Sequence, residues 1–204
     1  MSQPTKGTKH EEGTKQMKLS IRALSLAAIM SVSAVAGSVA FAQDNPMVGG
    51  APMLATKNII ENAVNSKDHT TLVAAVKAAG LVETLEGAGP FTVLAPTNEA
   101  FAALPAGTVD NLLKPENKAT LTKILTCHVI AAKALSTDIA SMVKADGGKH
   151  VVDTVGGCKL TLEDNGGKIT VTDENGTVAN VTIADVVQSN GVIHVIDKVL
   201  TPKM

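Results

Sequence analysis

The sequence predicts an α+β domain in which a largely helical half precedes a strand-rich half. Between residues 58 and 146, apolar side chains recur mainly at the three- and four-residue spacing of amphipathic helices. Beyond residue 150, apolar and polar residues alternate, as in half-buried strands. Asn-Gly pairs beginning at Asn165, Asn175 and Asn190 are typical of hairpin turns. Because helices and strands do not alternate regularly, the pattern argues against repeated βαβ units.

Helical spacing and capping residues predict the helices of the first half. Gly80 provides a C-terminal stop for the second helix, and Pro115 occupies the first position of a later one. Ser136 or Thr137 is predicted to cap the last helix, which ends at Gly147-Gly148. The predicted helices before that last one cover residues 58–65, 70–79, 81–85, 98–104, 108–113 and 115–126.

One short strand is expected among these helices. Residues 91–94 form an apolar β-type run, and Pro96 is predicted to end it. Thr97 or Asn98 can then cap the helix that follows directly. In the second half, period-two alternation or β-type residues predict strands at 151–152, 159–162, 168–172, 178–183 and 192–199.

The N-terminal segment has the pattern of a secretory signal peptide. Lys18 and Arg22 precede an uncharged run that ends in Ala40-Phe41-Ala42, an A-x-A cleavage pattern. An uncleaved membrane anchor is the poorer alternative, because serines interrupt the run. We predict an extension and signal at residues 1–42, a flexible leader at 43–53 and a folded domain at 54–202. The mature protein is expected to be secreted or periplasmic, with no stable membrane span.

Composition argues against nucleic acid as a partner. The chain has 18 Lys and Arg against 19 Asp and Glu, a net charge of −1, and it lacks Trp and Tyr. Nucleic-acid binding usually needs a concentrated cationic face, often with stacking rings. The scarcity of aromatic rings also disfavours stacking against sugars, so any glycan contact would have to be polar.

Two segments resemble the signature segments of the fasciclin domain. Residues 89–101 read GPFTVLAPTNEAF and residues 189–202 read SNGVIHVIDKVLTP, and their order and spacing make the match specific. The resemblance covers about residues 54–202. It implies a β-sandwich or wedge with helices packed along one side, and a function in adhesion.

The resemblance also points to three candidate binding residues. His128 matches the histidine of the family's Tyr-His element, with Cys127 in place of the tyrosine. Asp185 and Val186 match an Asp-Ile motif that is linked to integrin binding in animal fasciclin domains. The alternatives are structural: His128 as a partly buried imidazole bonded to backbone, Thr97 or Asn98, and Asp185 at a strand end with Val186 packed inside. We expect an exposed Asp185 carboxylate that folding does not need.

Cys127 and Cys158 are the only cysteines in the chain. In an exported protein they predict an intramolecular disulfide. A free buried thiol and a reactive nucleophile are the alternatives. Cys127 and His128 are adjacent, and on a strand they would point to opposite faces, so they would not form a catalytic pair with each other.

No catalytic constellation or cofactor motif is recognisable in the sequence. No two histidines have a ligand spacing such as His-x-x-x-His, so no metal site is predicted. His194 is expected to face the surface. The resemblance to the fasciclin domain implies adhesion, and the absence of these motifs agrees with it. We expect a non-enzymatic domain without cofactors that binds a cell-surface or matrix protein or glycan. The alternative is a periplasmic carrier of an apolar small ligand, bound in a cleft between helices and sandwich.

Overall fold

The structure is a computed structural model and describes residues 45–203. The predicted signal segment lies outside these residues. The helices are α1 Ile59–Ala63, α2 Thr70–Ala79, α3 Val82–Glu86, α4 Asn98–Ala102, α5 Thr108–Leu112, α6 Lys118–Thr126 and α7 Ser136–Ala145. The strands are β1 Met47–Val48, β2 Ala51–Pro52, β3 Phe91–Pro96, β4 Val129–Ile130, β5 His150–Asp153, β6 Lys159–Asp164, β7 Ile169–Thr172, β8 Val178–Gln188 and β9 Gly191–Ile196.

Strands β3 to β9 form a seven-stranded sheet in the order β4-β3-β9-β8-β7-β6-β5. The two signature segments meet at its centre, because β3 and β9 pair in parallel from Phe91 opposite Gly191 to Pro96 opposite Ile196. Every other neighbouring pair in this sheet is antiparallel. The predicted α+β class is confirmed.

Two apolar cores lie against this sheet. Helices α1 to α6 contribute to the first core, together with Val93 of β3 and Val195 of β9. Helix α7 contributes to the second core, which contains Leu94 of β3 and Ile196 of β9. Both faces of β3 and β9 are therefore buried, which explains their continuous apolar sequences. Helices thus pack on both sides of the central strands, with α7 opposite the other six.

Local capping explains where several helices begin and end. Asn58 and Glu61 form a reciprocal capping box at α1, with two hydrogen bonds of 2.8 Å. Gly80 ends α2 in the left-handed conformation, as predicted. The Thr97 side chain caps α4 by accepting from the Ala100 amide at 3.3 Å. Strand β3 includes Pro96 as its last residue, opposite Ile196, rather than ending before it.

Residues 45–53 correct the prediction of a flexible leader. Strands β1 and β2 form a hairpin, and the Met53 amide donates to the Pro46 carbonyl at 2.9 Å. Val48 and Met53 are buried in the first core. Gly49 has a φ of +59°, and a Cβ there would collide with the Ser66 side chain. The glycines that suggested flexibility instead permit a tight turn against the domain.

The structure joins Cys127 and Cys158 in a disulfide, as predicted. Cys127 follows the last residue of α6, and Cys158 directly precedes β6. Their Cα atoms are 5.4 Å apart, and both side chains are buried. No cysteine of residues 45–203 is free, so a thiol nucleophile is excluded there.

Candidate functional site

Asp185 lies within β8 at a break in its pairing with β9. The register shifts between Ile183 and Val186, and Asp185 adopts a φ of +58°. Aspartate is one of the few residues besides glycine that enter this left-handed region readily. The bulge bends the strand and directs the Asp185 side chain toward the start of α7.

The Asp185 carboxylate caps α7. It accepts a hydrogen bond of 2.6 Å from the Ser136 amide and a second, short one from the Ser136 hydroxyl. Negative charge at a helix N-terminus is stabilising. The Asp138 carboxylate completes the cap by accepting from the Leu135 amide at 3.0 Å. Ser136 and Thr137 are thus not the capping residues predicted for α7, and Asp185 is not the freely exposed carboxylate expected from the sequence.

His194 of β9 connects to the same cluster. The Asp185 amide donates to its Nδ1 at 3.2 Å, so Nε2 carries the proton and donates to the Ala134 carbonyl at 2.9 Å. His194 is 0% exposed, which corrects the expectation that it faces the surface. Burial lowers its pKa, against the opposing effects of the Ala134 carbonyl and the Asp185 charge.

Ser136, His194 and Asp185 are neighbours but do not form a catalytic triad. In a triad the serine hydroxyl donates to a histidine that the aspartate orients. Here the Ser136 hydroxyl donates directly to the Asp185 carboxylate, and both His194 nitrogens bond to backbone groups. The arrangement holds β8, β9 and α7 together, and the His194 imidazole does not accept from the Ser136 hydroxyl.

The other two candidate binding residues are buried. Val186 is 0% exposed and packs in the first core. His128 is 2% exposed, accepts from the Leu200 amide at 2.9 Å through Nε2, and donates from Nδ1 to the Ile124 carbonyl at 2.8 Å. Burial lowers the pKa of His128 to about 4. Both ring nitrogens therefore bond to backbone, as in the structural alternative, and not to Thr97 or Asn98.

The space between the helices and the sheet is small. The cavity there measures about 40 Å³, and its walls are almost wholly apolar. His69 lines it, with Nδ1 bonded to the Ser66 hydroxyl at 2.8 Å and Nε2 without a hydrogen-bond partner. Such a volume has room for little more than a few water molecules. The cleft expected for an apolar ligand is therefore not found at this place.

Asn190 is a residue whose importance the sequence did not reveal. The sequence predicts it only as part of a turn before β9. Its side chain accepts from the Ile59 amide at 3.1 Å and donates to the carbonyls of Leu85 and Gly87 at 2.8 Å each. One buried amide thus links α1, α3 and the start of β9. The only sequence signal for this role is its position inside a signature segment.

We expect replacement of Asp185 by alanine to destabilise the domain by about 2 kcal/mol, since it removes a helix cap and places alanine at a positive φ. Asp185→Asn keeps the tolerated backbone and one acceptor oxygen, so it should lose about half as much. Thermal unfolding of both variants measures the difference. Equal stability of wild type and Asp185→Ala would show that the cap contributes nothing.

The fold is a seven-stranded sheet with flanking helices, and its two central strands carry the signature segments. The family model described as "Fasciclin domain" matches residues 67–202. The chain belongs to the fasciclin domain family. Over 193 residues it is 44% identical to protein sll1483 of Synechocystis sp., covering 92% of this chain and 100% of that protein.

Two further comparisons extend this relationship. The chain is 40% identical over 131 residues to the pig (Sus scrofa) transforming growth factor-beta-induced protein ig-h3, covering 64% of this chain and 17% of that protein. A FAS1 domain pair from the insect cell adhesion molecule fasciclin I superimposes with a TM-score of 0.63 at 17% identity. It covers 72% of this chain and 51% of that chain, and this likeness supports the fold.

Residues 45–203 contain neither a helix that could cross a membrane nor a group of three or more side chains suited to a metal ion.

Proposed function

We propose that this chain is a secreted or periplasmic, non-enzymatic fasciclin domain that binds a protein or glycan at the cell surface or in the matrix. The observation that carries the proposal is the family match over residues 67–202. The structural neighbour from insects is described as a cell adhesion molecule. The signal-like pattern that ends at Ala42 supports export of the chain.

The chemistry of the described residues supports a binding role over catalysis. The cysteines are joined in a disulfide, and the Ser136 hydroxyl bonds directly to the Asp185 carboxylate with no histidine between them. In the buried histidines His128 and His194, both ring nitrogens form hydrogen bonds with backbone groups. A nucleophile, a base and an orienting group are therefore not assembled at any of these places.

The segment held by Asp185 is the partner surface that we propose. Ala131, Ala132, Lys133, Thr137 and Asp138 are exposed around the start of α7. Asp185 holds this segment in place through its two hydrogen bonds with Ser136. Asp185 would therefore affect partner binding mainly by positioning the exposed residues of the segment. Val186 and His128 lie beneath the surface and would contribute through packing.

Lys133→Ala tests this surface. Lys133 is an exposed charge on the segment, whereas Lys168 is an exposed lysine on the β6–β7 turn, outside the segment, and serves as the matched control. We expect Lys133→Ala to weaken binding of the mature protein to envelope or matrix material of the producing cells by about two- to fivefold, and Lys168→Ala to leave it unchanged. Sedimentation of labelled protein with that material gives the affinity.

Two results would contradict the proposal at different levels. If wild-type protein shows no saturable binding to envelope or matrix, the adhesive function is wrong. If it binds but Lys133→Ala and Lys168→Ala behave alike, the function stands and the surface lies elsewhere.

A further inference from the structure

A second, larger cavity lies inside the curved seven-stranded sheet. It measures about 370 Å³, and each strand from β3 to β9 contributes at least one lining residue. Leu94, Leu162 and Val171 form part of its wall, and Ile139 and Met142 of α7 cover it. The sheet therefore surrounds a space in the way that small β-barrels surround a single ligand.

The wall of this cavity is mainly apolar. Among residues 45–203, none of the buried side chains that line it has a polar atom without a hydrogen-bond partner. Thr92 lines it, but its hydroxyl donates to the Ala132 carbonyl at 2.6 Å and accepts from the Ala134 amide at 2.9 Å. His194 is likewise bonded at both nitrogens. A polar or charged group placed deep in this space would lose its hydration without gaining a partner.

The two outer strands of the sheet leave an opening to this cavity. Strands β4 and β5 stand at opposite ends of the strand order. At one end of the opening between β4 and β5, the Val155 amide donates a hydrogen bond of 2.8 Å to the Val129 carbonyl. Farther along, Ala132 and Val151 line the cavity, and Val151 is 53% exposed. A small molecule could enter between the strand edges past these short side chains.

We propose that the interior of the sheet binds a small, uncharged apolar molecule. The volume falls within the range of about 300–1,000 Å³ that is usual for small-molecule sites. Any polar end of the ligand would lie at the opening, where His150 and Asp153 line the rim. An inserted peptide strand fits less well, because its amide groups would face the apolar wall. Ala131 and Ala132 belong to both the cavity wall and the partner surface, whereas Lys133, Thr137 and Asp138 do not line the cavity. The proposal does not rest on the proposed adhesion, and the two sites can be tested separately.

The neutral fluorescent probe N-phenyl-1-naphthylamine tests the site directly. The chain has no Trp or Tyr, so its own fluorescence interferes little. Val181 lines the cavity, whereas Val178 of the same strand is 42% exposed and does not line it. We expect saturable binding by mature wild type and by Val178→Phe. Val181→Phe should weaken binding about tenfold, because the larger ring occupies the cavity.

A second measurement locates the probe even if Val181→Phe fails to fold. Met142 lines the large cavity and Met53 lines the small one, so their methyl NMR signals distinguish the two. We expect the Met142 signal to shift with probe concentration and the Met53 signal to stay fixed. Absence of saturable binding, an unweakened folded Val181→Phe, or a shift at Met53 alone would overturn the proposal.

Discussion

Replacing Cys127 and Cys158 together by alanine is expected to lower the free energy of unfolding by about 4 kcal/mol. The disulfide joins positions separated by 31 residues, and the cross-link restricts the unfolded chain. Both side chains are buried, so their truncation also removes packing. In a domain of this size the thermal midpoint should fall by roughly 10 °C, measured by circular dichroism or calorimetry.

Reduction of the wild-type protein separates the stability that comes from the cross-link from the stability that comes from packing of the two side chains. Wild type in excess reductant keeps both sulfur atoms, so it should lose most but not all of the stability lost by the double variant. The double variant itself should not respond to reductant. A wild-type midpoint that is the same with and without reductant would rule out a stabilising disulfide.

Acidification from pH 7 to pH 4 is expected to remove about 3 kcal/mol of stability through His128 alone. Burial lowers the pKa of His128 from 6.5 to about 4. The unfolded chain therefore binds a proton below pH 6.5 that the folded chain takes up only near pH 4. Stability from this group is fully present above pH 6.5 and is lost as the pH falls toward 4. Burial lowers the pKa of His69 and His194 too, and so adds to the loss in the same direction.

The variant His128→Asn isolates this contribution, because asparagine does not titrate. Its stability at pH 8, compared with wild type, gives the cost of losing the His128 hydrogen bonds and packing. Its further loss of stability between pH 8 and pH 4 comes from the titratable groups other than His128. That further loss should be about 3 kcal/mol smaller than in wild type. Equal pH dependence in the two proteins would mean that His128 is protonated as easily in the folded state as in the unfolded one.

The sequence predicts much of the fold because many of its signals are local. The spacing of apolar residues and the Gly80 stop predict α2 with both bounds correct, and Thr97 caps α4 as expected. Hairpin turns and alternation predict β6 and β7 closely. The hairpin of β1 and β2 is missed, since two-residue strands have no period and their glycines also suit a flexible segment.

The site is less predictable because its contacts join distant parts of the chain. Asp185 bonds to Ser136, 49 positions away, and Asn190 bonds to the Ile59 amide, 131 positions away. Local sequence does not reveal such partners. His194 looks exposed by strand alternation, but β9 is covered on both faces, so every side chain of that strand is buried. Alternation indicates orientation only when one face of the sheet meets water.

The parallel pairing of β3 with β9 has a consequence for how the chain folds. Phe91 lies opposite Gly191, so the central contact of the sheet closes a loop of about 100 residues. Contacts so far apart in sequence raise the contact order and slow folding, because loop entropy is lost before the pairing compensates for it. We therefore expect folding in milliseconds to seconds rather than microseconds. During that interval the unpaired apolar β3 segment is exposed to chaperones and proteases.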